Sequence, residues 1–169
     1  MTRSRALRAL VLVGVAAACA GQPTLPPEDE LAAKPWEAQK ALLPPYPKEG
    51  DLIPIYVGTA RPFAFFVDRA SVSVAQDRVV RYTLVARSLS GALNVSYEGI
   101  RCQTYESRIY AFGRSDGTWV QARNQQWIPY SRYETDHHLI LADDFFCSVR
   151  GAKPAEEAVQ ALVRGNGPR

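Results

Sequence analysis

The chain has 169 residues, room for one folded domain of about 120 residues with extensions. Its 20 Lys and Arg against 17 Asp and Glu give a formal charge of +3, and setting aside Arg3, Arg5 and Arg8 at the front leaves 17 of each sign. Such a balance does not support a nucleic-acid partner, which calls for a clustered basic face.

Arg3, Arg5 and Arg8 form a basic leader to the apolar run from Ala9 to Ala18. As a helix that run is only ~15 Å long, about half of a bilayer's hydrocarbon core. Residues 1–18 therefore read as a bacterial-type export signal rather than a permanent anchor. Ala16-Ala17-Ala18-Cys19 resembles a lipobox, with Ala16 standing where Leu, Val or Ile is more usual. In such signals the thiol receives a diacylglycerol before cleavage, leaving an acylated Cys19 as the new N-terminus. The alternative is ordinary cleavage at an Ala-x-Ala site. Acylation predicts a periplasmic protein held to a membrane by its lipid, and Ala20 after the cysteine points to the outer membrane.

The three cysteines favour acylation, because an odd count in an exported protein gives one of them a separate task. Cys102 and Cys147 fall in the part expected to fold and are read as a disulfide in an oxidising compartment. Closing a loop of about 45 residues contributes ~4 kcal/mol on the chain-entropy model. The alternative, two free thiols in a redox or metal site, lacks the C-x-x-C spacing such sites commonly use.

Residues 19–47 are rich in proline and acidic side chains without a sustained apolar period, which predicts a tether. Trp36, Leu42 and Leu43 are large enough for its second half to lie along the domain. From residue 48 to 165 a single domain is expected, followed by a flexible tail over 166–169. Leu52–Val57, Phe63–Val74, Arg78–Arg87, Leu93–Arg101, Tyr105–Phe112 and Thr118–Ala122 are rich in β-branched and aromatic residues and lie between turn signals, so they read as strands of an antiparallel meander. The clearest hairpin joins Arg78–Arg87 to Leu93–Arg101 through Ser88 to Ala92.

After Trp127 the period lengthens. Thr135–Phe146 reads as a short capped helix, although its apolar run also suits a buried strand. Pro154–Arg164 is the clearest helix: proline early, Glu156 and Glu157 in the first turn, Val159, Leu162 and Val163 on one side, and Gly165 at the stop. The expected fold is α+β, an antiparallel sheet meander packed with one or two helices, the clearest C-terminal.

The phrases LIPIYVG, FFVD, ASVSV, VVRYTLVARS, NVSYEGIRC, YAFGRSDGTW and DDFFC together resemble the CNP-like family, whose name abbreviates cryptic neisserial protein. The resemblance runs from Trp36 to Leu162, and its most distinctive part is NVSYEGIRC with a second cysteine after Phe145-Phe146. It implies one domain of an exported bacterial protein and transfers no catalytic residue.

His137-His138, flanked by Asp136 and followed by Asp143 and Asp144, is the obvious metal suspect. Neighbouring residues point about 100° apart on a helix and to opposite faces on a strand, so a site would use one imidazole with a carboxylate, such as His137 with Asp144. A capped, exposed helix is the plainer reading, and no metal or other cofactor is expected. There is no G-x-S-x-G elbow and no phosphate-cradling glycine loop. Thr83, Arg87, Asn94, Ser96 and Glu98 are expected to share one side of the central hairpin as a polar ligand groove, the plainer reading being a solvated sheet face. The sequon Asn94-Val95-Ser96 is incidental in a bacterial strand. Trp36, Trp119 and Trp127 are expected to fill core. The expected function is a non-catalytic envelope binding or accessory module with an envelope protein partner; the alternative is a periplasmic hydrolase or metal-dependent enzyme using Glu98 or His137.

Overall fold

The computed structural model describes residues 36–57, 62–130 and 137–165. The export signal, Cys19, the first part of the expected tether, the first two residues of the helix expected from Thr135 and the tail lie outside the described residues.

A 3-10 turn over Glu49–Asp51 leads into β1 (Leu52–Ile55), followed by β2 (Phe63–Val74), β3 (Val79–Ser88), β4 (Leu93–Arg101), β5 (Glu106–Gly113) and β6 (Trp119–Gln121). These six strands pair antiparallel in chain order, and β7 (Ile128–Pro129) pairs with the start of β5. The meander follows from the connections: β2 to β3, β3 to β4, β4 to β5 and β5 to β6 are joined by four or five residues, too few for the crossover that a parallel neighbour needs. The β3–β4 hairpin pairs Val79 with Arg101 and Arg87 with Leu93. Its loop closes through Ser88 N–H to the Ala92 carbonyl, with Gly91 at φ +84°, a conformation that favours glycine.

Alternation gives the sheet two unlike faces. Val67, Val80, Tyr82, Leu84 and Ile100 point to one face and join Leu141, Phe146, Ala158 and Leu162 in the main core. That helical layer consists of α1 (His137–Ile140), a π-helical turn over Leu141–Phe146 and α2 (Ala155–Gly165), with a small hairpin of β8 (Cys147–Ser148) and β9 (Gly151–Ala152) between the last two. In α2 the fully buried residues are Ala158 and Leu162, one helical turn apart, whereas Val163 is 52% exposed. The expected stripe is thus rotated, since Val163 stands about 100° round the helix from Leu162.

Cys102, at the end of β4, is bonded to Cys147, directly after the π-helical turn, with their Cα atoms 5.6 Å apart. The bond fastens the helical layer to the centre of the sheet.

The opposite face receives residues 36–47. Trp36 Nε1 donates to the Asp77 carbonyl, Gln39 N–H to Asp77 Oδ2, and Trp119 Nε1 to the Pro44 carbonyl. The Arg101 guanidinium lies 3.6 Å from the centre of the Trp36 ring, a cation–π contact. Tyr46 packs over Gly113, where a Cβ would meet its ring at 2.8 Å. Leu42, by contrast, is 80% exposed, so this strap is held by indoles and backbone hydrogen bonds.

Two irregularities fix side-chain positions. Register shifts in β2 between Asp68 and Ser73, where the Ser71 hydroxyl donates to the Asp68 carbonyl and accepts from Thr83 N–H, replacing the lost ladder bond. Between β4 and β5 the pairing passes from Tyr97–Ala111 to Glu98–Ile109, leaving Tyr110 as the extra residue. Its ring covers Gly99, where a Cβ would lie 2.9 Å from the ring.

Candidate metal centre

Glu98 sits in mid-β4 on the helical face, directly across from Tyr82. It is 2% exposed, and its carboxylate is gripped from the sheet: Tyr82 Oη donates to Oε2 at 2.9 Å and Ser96 Oγ to Oε1 at 2.5 Å. From the helical layer, His138 Nε2 stands 3.0 Å and His137 Nε2 3.6 Å from the same Oε2. Phe65 stacks on the His137 ring with centroids 5.3 Å apart. Burial alone would raise the Glu98 pKa, but the hydrogen bonds and charge of His137 and His138 outweigh it and hold the carboxyl well below the usual carboxylate range.

The two histidines both face Glu98, correcting the expectation that neighbouring imidazoles serve different directions. Their ring centroids are 3.9 Å apart. Asp143 and Asp144 are absent from this cluster; one donor atom from each of Glu98, His137 and His138 lies within 4.8 Å of the other two.

The five expected groove residues do not share a face. Arg87 pairs with Leu93 and Thr83 with Tyr97, which places both on the strap side, while Asn94, Ser96 and Glu98 point to the helical side. Thr83 is buried and Arg87 is ion-paired with Glu49. Glu98 is likewise buried, so the plainer reading of a solvated face does not describe it either. Sequence reasoning missed Tyr82, and it gave the site one imidazole with Asp144 where the structure brings both His137 and His138 to Glu98. Pairing Arg87 with Leu93 across the Ser88–Ala92 loop would have put Tyr82 opposite Glu98; nothing local in the sequence indicates that α1 docks over that position.

A second buried charge pair lies on the strap side. Arg81 donates to both Asp77 carboxylate oxygens and to the Gln39 carbonyl. Burial raises the Asp77 pKa, but the Arg81 hydrogen bonds, the Gln39 and Val79 N–H donors and the Arg81 charge carry it below its ordinary value. Every partner here is structural, so this pair anchors the strap.

The chain is 28% identical over 151 residues to "Cryptic neisserial protein 1" of Neisseria gonorrhoeae (strain ATCC 700825 / FA 1090), an alignment covering 80% of this chain and 73% of that protein. No solved structure matches it. The family model described as "CNP1-like family" matches residues 31–163, which include both cysteines of the disulfide, Glu98 and both histidines, and the chain belongs to that family.

Proposed function

We propose that the protein is an envelope lipoprotein, exported, acylated at Cys19 and anchored in the outer membrane, whose folded domain is a non-catalytic module that binds an envelope protein. The observation that carries the binding role is the exposed pair Phe112 and Val120. They are directly opposite each other in β5 and β6, on the helical side of the sheet, and are 45% and 38% exposed. A cross-strand apolar pair left in water at a sheet margin suits a protein contact.

Location is supported separately. The Cys102–Cys147 bond suits an oxidising compartment, and the sequence at Ala16 to Cys19 suits lipid attachment. The clefts beside Gln39 and Tyr110 and beside Ser107 and Tyr130 are about 270 and 210 Å³. These fall below the ~300–1,000 Å³ of small-molecule sites, which favours a surface contact over an enclosed substrate.

Fatty-acid labelling of the wild type and Cys19→Ala tests the anchor: label in the wild type alone supports it, and label in neither overturns it. For the module, a photo-crosslinking residue at Phe112 or Val120 in living cells should yield one discrete adduct, and the same probe at Leu89, on the β3–β4 loop, should not. Equal capture at all three positions, or none at Phe112 and Val120, removes the binding surface.

A further inference from the structure

We propose that Glu98, His137 and His138 form a binding site for one zinc-class divalent transition-metal ion, which ties the first turn of the helical layer to the centre of the sheet.

The donor set comes first. Two imidazole nitrogens and one carboxylate oxygen are ligands of borderline softness, suited to zinc and its transition-metal neighbours; calcium and magnesium favour all-oxygen shells. The geometry agrees. Bonds of ~2.0–2.1 Å in tetrahedral directions put neighbouring donor atoms roughly 3.3 Å apart. Here His138 Nε2 and His137 Nε2 lie 3.0 and 3.6 Å from Glu98 Oε2, and the three donor atoms all fall within 4.8 Å of one another. Both histidine-to-carboxylate distances lie close to that spacing.

The carboxylate is also pre-positioned. Ser96 holds Oε1 and Tyr82 holds Oε2, the outer-shell support that orients metal-ligating carboxylates. Phe65 against His137 fixes one imidazole plane. Charge favours the same occupant: a buried carboxylate facing two imidazoles has donors of lone pairs and one negative charge with which to meet a dication. His138 also lines the cleft shared with Ser107, Ile109 and Tyr130, which gives the ion a path in and a place for a water as fourth ligand. The ion then bridges β4 and α1, two elements far apart in sequence, and its binding to the folded chain adds stability that grows with the logarithm of the free ion concentration above the dissociation constant.

The test uses the purified mature chain with its disulfide intact, stripped with a chelator and titrated calorimetrically with zinc chloride. One equivalent is expected, together with a rise in melting temperature; calcium and magnesium should produce neither. His138→Ala and Glu98→Gln should each weaken zinc binding at least ~10-fold, and Ser96→Ala, which leaves all three ligands in place, by about 10-fold through loss of carboxylate orientation. Because Glu98→Gln alters a buried position, X-ray absorption of the zinc-loaded wild type supplies a reading that needs no variant: two imidazoles and a carboxylate at ~2.0–2.1 Å are expected. No zinc uptake at micromolar concentration, an all-oxygen or sulfur shell, or unchanged affinity in folded His138→Ala overturns the site.

Discussion

Tyr82 and Glu98 face each other across the β3–β4 hairpin, and the Tyr82 hydroxyl donates to Glu98 Oε2 at 2.9 Å where both side chains are shut off from water. The pair makes the register of the hairpin a chemical matter as well as a packing one, because a slip of one residue would set Glu98 opposite Arg81 or Thr83 on the other face and take the carboxylate away from Tyr82. Tyr82→Phe keeps the ring against Phe146 and removes only the donor. Hydrogen bonds to buried charged groups contribute ~1.5–3 kcal/mol, and an unfolding free energy lowered by that amount, read as a lower urea midpoint with the slope unchanged, is the expected outcome.

Gly99 is expected to be intolerant of any side chain, for a steric reason rather than a conformational one. A Cβ there would stand 2.9 Å from Tyr110 Cε2 and 3.0 Å from Val79 Cγ1. Gly99→Ala should therefore destabilise by ~1–3 kcal/mol, the usual cost of overfilling a packed site. In a Tyr110→Leu background the additional loss should shrink, and a double-mutant cycle by chemical denaturation measures the coupling directly. Strict additivity would show that Tyr110 is not what excludes the methyl group.

Much of this architecture was legible because it is written locally. Each of the first six strands begins and ends within two residues of its expected bounds, Pro154 and Gly165 bracket α2, and the cysteine count pointed to the bond between Cys102 and Cys147. The candidate centre was less legible. Glu98 stood out as a carboxylate in a strand, but its partners depend on which face each residue takes, and grouping Thr83 and Arg87 with it mistook the hairpin register by one position. The convergence of His137 and His138 is a tertiary event: helical geometry sets their side chains apart, and only the docking of α1 above β4 brings both to one oxygen. Val163 marks the same boundary, since periodicity gave α2 an apolar side but the angle at which α2 lies on the sheet chose Ala158 and Leu162.

Loss of the disulfide should be felt across the helical layer. Cys102→Ser or Cys147→Ser is expected to lower the unfolding free energy by ~2–5 kcal/mol. Replacing both should cost little more than replacing one, because the two sulfurs act as a single covalent unit. Equilibrium unfolding of the three variants, with thiol mapping of the wild type, checks both the size and the non-additivity.

The strap should come away in acid through Asp77. Its folded pKa lies below the ordinary value near 3.8, held there against burial by Arg81 and by the Gln39 and Val79 amides. A carboxyl depressed on folding contributes stability that is fully present above its unfolded value and is lost as pH falls through its folded one. Protonation removes the charge opposing Arg81 and weakens the acceptor for the Gln39 N–H, so residues 36–47 should loosen below about pH 3.8, before β3 and β4 separate. The amide resonance of Gln39 and the indole N–H of Trp36 report this directly by NMR, and their shift toward exposed values should follow one titration. At neutral pH, Asp77→Asn should reproduce the loosening and lower stability by ~3–5 kcal/mol, since the buried Arg81 is left without a counter-charge. If Gln39 and Trp36 keep their folded resonances in Asp77→Asn, the strap is held by the Trp119–Pro44 and Tyr46–Gly113 contacts alone, and the Asp77–Arg81 pair serves the sheet and not the segment lying on it.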